Sequence, residues 1–162
     1  MKQKKVAIIM GSRSDLPEVE KAAKVLSDLG IEYEMRIISA HRTPDTASEF
    51  AQRAESEGFD LIIAAAGKAA HLAGVMAAGT VLPVIGIPMK TGDLGGMDSL
   101  LSTVQMPKGV PVATVAIGGA ENAAILAAQI LSCADSGLRA ALKEYRKKMA
   151  EEVAEADREL NK

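Results

Sequence analysis

Val6-Ala7-Ile8-Ile9-Met10, running straight into Gly11-Ser12-Arg13-Ser14-Asp15, is the stretch that decides the fold. Five apolar residues in succession lack the polar alternation of a strand with one wet face. A run of this length therefore describes a strand covered by helices on both sides. The glycine and the polar residues after it end the run. A helix is predicted next, with Leu16, Val19, Ala22, Ala23, Leu26 and Leu29 along one face. Asp15 and Glu18 stand at capping-box spacing at its start, and Gly30 closes it.

The same unit recurs down the chain. Tyr33 to Ile38 reads as a second strand, Ser39-Ala40-His41-Arg42-Thr43-Pro44 as its turn, and Pro44 to about Glu57 as a helix ended by Gly58. Here the Thr43 hydroxyl is predicted to cap the helix, and Pro44 suits the first helical position, where a missing N–H costs nothing. Leu61 to Ala66 forms the third strand, followed by Gly67-Lys68-Ala69-Ala70-His71 and a small-residue helix to about Ala78. Val84 to Ile87 is the fourth, lying between Pro83 and Pro88; a glycine-rich segment, Thr91 to Gly96, then leads to a short helix around Asp98 to Val104. Pro111 to Ile117 is expected as the fifth strand and Glu121 to Leu131 as its helix. Strands alternating with helices imply right-handed crossovers and a parallel sheet. The expected architecture is α/β, a flavodoxin-like three-layer sandwich with strand order 2-1-3-4-5.

Length and composition agree with a single unit over residues 1–162, divided into an α/β core (1–134) and a C-terminal helix (135–162). The chain is 48% apolar and 25% charged with a formal charge of −2, which offers no basic footprint for nucleic acid. Aromatic residues are confined to Tyr33, Phe50, Phe59 and Tyr145, too few for base-stacking platforms. No apolar run reaches the roughly 18 residues of a membrane span, and Met1 passes directly to Lys2-Gln3-Lys4-Lys5 without an apolar leader core. The lone Cys133 has no intrachain partner, so a reducing cytoplasm is the expected setting.

In an open parallel sheet ligands bind beyond the carboxyl ends of the strands. The first three loops should thus converge on one crevice, bringing together Ser12, Ser14, Asp15, Ser39, His41, Arg42, Lys68 and His71. Both histidines of the chain fall among them. The first loop offers hydroxyls, backbone N–H groups and a helix N-terminus, the parts that hold a phosphate monoester. It lacks the lysine of a Walker loop and the third glycine of a dinucleotide fingerprint. Asp15 serves equally as a helix cap or as a ligand group. Arg42 would bind a phosphate through charge-assisted bonds, although the turn alone is equally consistent with His41 and Arg42 as solvated surface groups. No cysteine or carboxylate stands at metal-ligand spacing from either histidine, and there is no Gly-x-Ser-x-Gly elbow for a serine hydrolase. Histidine as a proton-transfer group remains, its reference pKa near about 6.5 making both forms accessible.

From Ser136 the pattern changes. Leu138, Leu142, Tyr145, Met149, Val153, Ala156 and Leu160 mark a narrow apolar stripe on a charged helix, suited either to a partner subunit or to packing across its own sheet.

Taken together, Gly11-Ser12-x-Ser14-Asp15, Ser39-Ala40-His41-Arg42-Thr43-Pro44, Ala69-Ala70-His71-Leu72 and the segment from Asp98-Ser99-Leu100-Leu101-Ser102 through Val104-Gln105-Met106-Pro107 to Gly109-Val110-Pro111-Val112-Ala113-Thr114 resemble the class I PurE family. Its members are the N5-carboxyaminoimidazole ribonucleotide mutases of purine biosynthesis. The resemblance implies a homo-octamer with active sites at subunit junctions and the C-terminal helix packed on a neighbour. It also implies transfer of a carboxyl group from the exocyclic nitrogen to ring carbon C4 without metal, nucleotide or organic cofactor. By position, Ser12, Ser14, Asp15, Ser39 and Arg42 would hold the ribose 5′-phosphate part, with His41 as the acid/base and His71 beside it. Gly67, Lys68 and Leu72 would complete the substrate site. The family usually reads Gly-Ala-Gly-Gly where this chain has Ala65-Ala66-Gly67-Lys68, and proline where it has Ala73. Against the family pattern, those changes would narrow a wall of the pocket or place a cation near the migrating carboxylate. Two other readings stay open at this stage: a carboxylase of aminoimidazole ribonucleotide using free CO2, and a non-catalytic sugar-phosphate binding module.

Overall fold

The computed structural model describes residues 3–161; Met1 and Lys2, on which the reading of the chain start partly turns, lie outside the described residues. The strands are β1 (Lys5–Met10), β2 (Glu32–Ile37), β3 (Leu61–Ala66), β4 (Val84–Pro88) and β5 (Ala113–Thr114). The helices are α1 (Leu16–Asp28), α2 (Pro44–Arg53), α3 (Leu72–Gly79), α4 (Met97–Val104), α5 (Ala120–Ser132) and α6 (Ser136–Leu160). All strands are parallel, in the order β2-β1-β3-β4-β5, as the alternation predicts. β1 lies between β2 and β3, with Val6 in register with both Tyr33 and Leu61.

The pleat of β1 sorts its apolar run between two cores. Val6, Ile8 and Met10 point to the side of α1, α5 and the start of α6, joining Leu26, Ile63, Ile85 and Ala124. Ala7 and Ile9 point to the opposite side, where Phe50 and Ala51 of α2 and Leu72 and Met76 of α3 pack. Every residue from Val6 to Met10 is at most 1% exposed, which accounts for the absence of polar alternation. α4 covers β4 on the α3 side: Thr103 of α4, Val112 and Ala73 crowd the position a side chain would take at Gly86.

Four local expectations are corrected. The capping box at the end of β1 is formed by Ser12 and Asp15, not Asp15 and Glu18: a short 3-10 turn, Arg13–Asp15, intervenes before α1, and Asp15 makes no side-chain cap on that helix. The Thr43 hydroxyl does not cap α2; it donates to Ser39 O and accepts from Ser39 N–H, tying the turn to itself. α2 stops at Arg53, four residues before Glu57, because turns through Gly58 (φ +88°) already redirect the chain toward β3. The fifth strand is two residues rather than seven. Pro111 has no N–H to donate, and past Thr114 only single bonds such as Val115 N–H to Gly86 O hold the segment.

Among the described residues no helix is long and apolar enough to cross a membrane.

Candidate active site

The loops after β1, β2 and β3 meet at the carboxyl end of the sheet and enclose a cleft of about 450 Å³. Every residue singled out from the sequence lines it: Ser12, Ser14 and Asp15 from the first loop, Ser39, His41 and Arg42 from the second, and Gly67, Lys68, His71 and Leu72 from the third. Gly11, Ala40, Ala66, Ala69 and Thr91 complete the wall.

One end is polar. Ser12 Oγ accepts from the Ser14 backbone at 3.3 Å and from its hydroxyl at 3.0 Å, while Asp15 Oδ2 accepts from the Ser12 N–H at 3.1 Å. Arg42 crosses from the second loop to the first, its Nη2 donating to Gly11 O at 2.7 Å and its Nε to Ser39 Oγ at 3.3 Å. Those bonds engage two of the five N–H donors of the guanidinium and fix its plane. Burial pushes the Asp15 carboxyl above its ordinary value, against the opposing pull of the Ser12 N–H and the Arg42 charge. The polar end thus combines hydroxyls, a fixed cation and a carboxyl reluctant to ionise, a set suited to a phosphorylated sugar.

The other end carries the imidazoles. His41 Nε2 lies 2.8 Å from His71 Nδ1, with ring centroids 4.9 Å apart and planes at 83°. A bond this short requires one nitrogen to donate and the other to accept. Position follows from the backbone: His41 sits on the turn that Ser39 and Thr43 brace, and His71 at the N-cap position of α3. Ala40, Ala66, Ala69 and Leu72 line the same cleft, and both imidazoles are exposed.

Lys68 differs from the rest. Its φ is +56°, the one positive value outside glycine among the described residues, and its Nζ lies 2.6 Å from Asp93 Oδ2 in the loop after β4. The pairing raises the lysine pKa and lowers that of the aspartate. Thr91, whose Oγ1 is buried without a partner in the chain, comes from the same loop. It was not among the sequence-predicted site residues; the signal available was the glycine-rich run it opens. Among the described residues no group of three or more His, Cys, Asp and Glu is arranged to hold a metal ion.

The family model described as AIR carboxylase matches residues 5–152. The chain is 59% identical over 145 residues to the N5-carboxyaminoimidazole ribonucleotide mutase of Pyrococcus abyssi, spanning 90% of this chain and 83% of that one. Against the mutase of Thermotoga maritima it is 55% identical over 96% of this chain and 91% of the relative, and against that of Escherichia coli 50% over 93% and 90%. A crystal structure of Treponema denticola PurE matches with a TM-score of 0.88 at 34% identity, covering 99% of this chain and 100% of that chain.

Proposed function

The chain belongs to the AIR carboxylase family, and from that membership together with the cleft we propose how its residues move a carboxyl group. It is an isomerase of purine biosynthesis, interconverting N5-carboxyaminoimidazole ribonucleotide and 4-carboxy-5-aminoimidazole ribonucleotide. In our reading Ser12, Ser14, Asp15, Ser39 and Arg42 hold the ribose phosphate end, leaving the heterocycle against His41, His71, Gly67, Lys68 and Leu72. His41 gives a proton to the carbamate nitrogen; the N–C bond breaks, and the carboxyl group leaves as CO2. The electron-rich C4 then attacks that CO2, and the proton displaced from C4 returns to the same imidazole. One proton enters and one leaves, so the balance needs no ATP, reductant or metal.

The observation that carries this reading is the 2.8 Å bond between His41 and His71 in the cleft that Arg42 also lines. Acid/base catalysis by such a group contributes roughly 10²–10⁴-fold. Relatives named as mutases at 50% identity or more weigh against a carboxylase drawing on free CO2, and the paired imidazoles weigh against a mere binding module. The test is a spectrophotometric assay for the C4-carboxylated product from the carbamate substrate, without ATP or metal, with bicarbonate varied. Product formation independent of bicarbonate is expected; formation that requires bicarbonate would make the enzyme a carboxylase.

We read residues 1–134 as the core and 135–162 as an arm that seats on a neighbouring subunit in a cytoplasmic homo-octamer, with each cleft completed at a junction. The exposed apolar residues Tyr145, Met149 and Val153 on α6 and Met97, Leu101 and Val104 on α4 support that assembly.

A further inference from the structure

Beyond the ends of β3 and β4 the backbone ladder stops. Met89 N–H bonds to Ala66 O at 2.9 Å, and among the described residues no backbone hydrogen bond joins residues 67–71 to residues 90–96. One polar bond spans the gap, Lys68 Nζ to Asp93 Oδ2 at 2.6 Å. Both side chains are about 70% exposed, at 70% and 68%, so the pair adds little to folding stability. Yet Lys68 occupies φ +56°, a conformation uncommon for a lysine that glycine would adopt without penalty. Backbone strain of this kind persists where the surroundings impose it and clusters at ligand clamps. Beneath the ion pair the walls touch: a Cβ placed on Gly67 would stand 2.8 Å from Thr91 Cγ2, and both residues line the cleft beside the imidazoles.

We propose that Lys68 and Asp93 clasp the loops after β3 and β4 across the reacting end of the cleft, and that this clasp keeps CO2 inside between its release from nitrogen and its capture by C4. The inference rests on the reaction described above. CO2 is uncharged and makes only weak bonds, so closed walls must retain it. Lys68 and Asp93 are thus positioning residues: neither exchanges a proton or a bond with the substrate. If the clasp opens, the N–C bond still breaks with a proton delivered to nitrogen, but CO2 escapes and decarboxylated aminoimidazole ribonucleotide is left as a side product.

The experiment supplies carbamate substrate with a ¹³C-labelled carboxyl group in unlabelled bicarbonate buffer. It measures label retained in the C4-carboxylated product and the amount of decarboxylated amine, corrected for an enzyme-free control. Wild type is expected to retain the label. Asp93→Asn should release several-fold more decarboxylated amine per product at a similar rate of carbamate consumption, Lys68→Met should raise the same ratio of amine to product, and the double exchange Lys68→Asp with Asp93→Lys should restore retention. High salt, which screens exposed charges, should increase leakage from wild type but not from Asp93→Asn. Retention in Asp93→Asn equal to wild type, with an unchanged thermal midpoint showing that it is folded, overturns the clasp. Absence of C4-carboxylated product from wild type would instead overturn the reaction on which the proposal rests, an outcome distinguished by needing no variant.

Discussion

Replacing His41 by asparagine removes the proton donor while keeping a polar side chain in its place. Turnover is expected to fall roughly 10²–10⁴-fold with KM little changed, the pattern of a role confined to the transition state; steady-state kinetics check it, and near-normal turnover would exclude His41 as the shuttle. Asp15 makes a prediction about acid. Its folded pKa is raised, chiefly by burial, so the ionised carboxylate costs stability above that raised value. The cost vanishes below the unfolded value near 3.8. Asp15→Asn, which retains an acceptor for the Ser12 N–H, should therefore be more stable than wild type at neutral pH. That advantage should shrink as pH falls through the window between the two values, as read from urea midpoints. At this scale the residue types were legible, because the Gly-Ser-x-Ser-Asp and Ala-His-Arg-Thr-Pro loops follow strands and their placement at one sheet end is topological. Pairings were not. The bond between His41 and His71, separated by 30 positions, and the bridge from Arg42 to Gly11 O depend on loop trajectories that periodicity does not encode. Nor does a lone lysine announce a positive φ.

Elements with strong apolar patterns were read almost to the residue: the center of the sheet, α1 and α5 needed only their burial periods. Errors gathered where side chains compete with backbone caps or where glycine and proline reshape an end, as at Ser12, Thr43, Gly58 and Pro111. Close packing between elements was equally hidden. Gly86 in β4 lies under Thr103 of α4, with Val112 and Ala73 on either side, so the helix that follows the Thr91–Gly96 loop is seated by the absence of one methyl group. Gly86→Ala should cost about 1–3 kcal/mol through overpacking, measured by denaturant unfolding. A second change, Thr103→Ser, removes the obstructing methyl, keeps the hydroxyl that donates to Ser99 O at 2.7 Å, and should recover part of that loss.

Across the whole molecule the two readings of the C-terminal stripe divide along the helix. Leu138 and Leu142 are buried at home against α5 and the sheet, whereas Tyr145 is 37%, Met149 49%, Val153 71% and Leu160 85% exposed. Met149→Glu combined with Val153→Glu should shift sedimentation toward smaller species at unchanged secondary structure, and specific activity should decline with the assembly. A sedimentation profile identical to wild type would show that this stripe seals no interface. Geometry gives the same helix another consequence. Past Leu142 it continues for about 27 Å at 1.5 Å per residue, with Arg146, Lys147 and Lys148 exposed along it. In the proposed assembly, a protomer shed from its neighbours would thus present this exposed basic cluster to any trypsin-like protease, while an assembled one would shelter part of it. Dilution would then govern lifetime as well as turnover, since solitary copies would be clipped first.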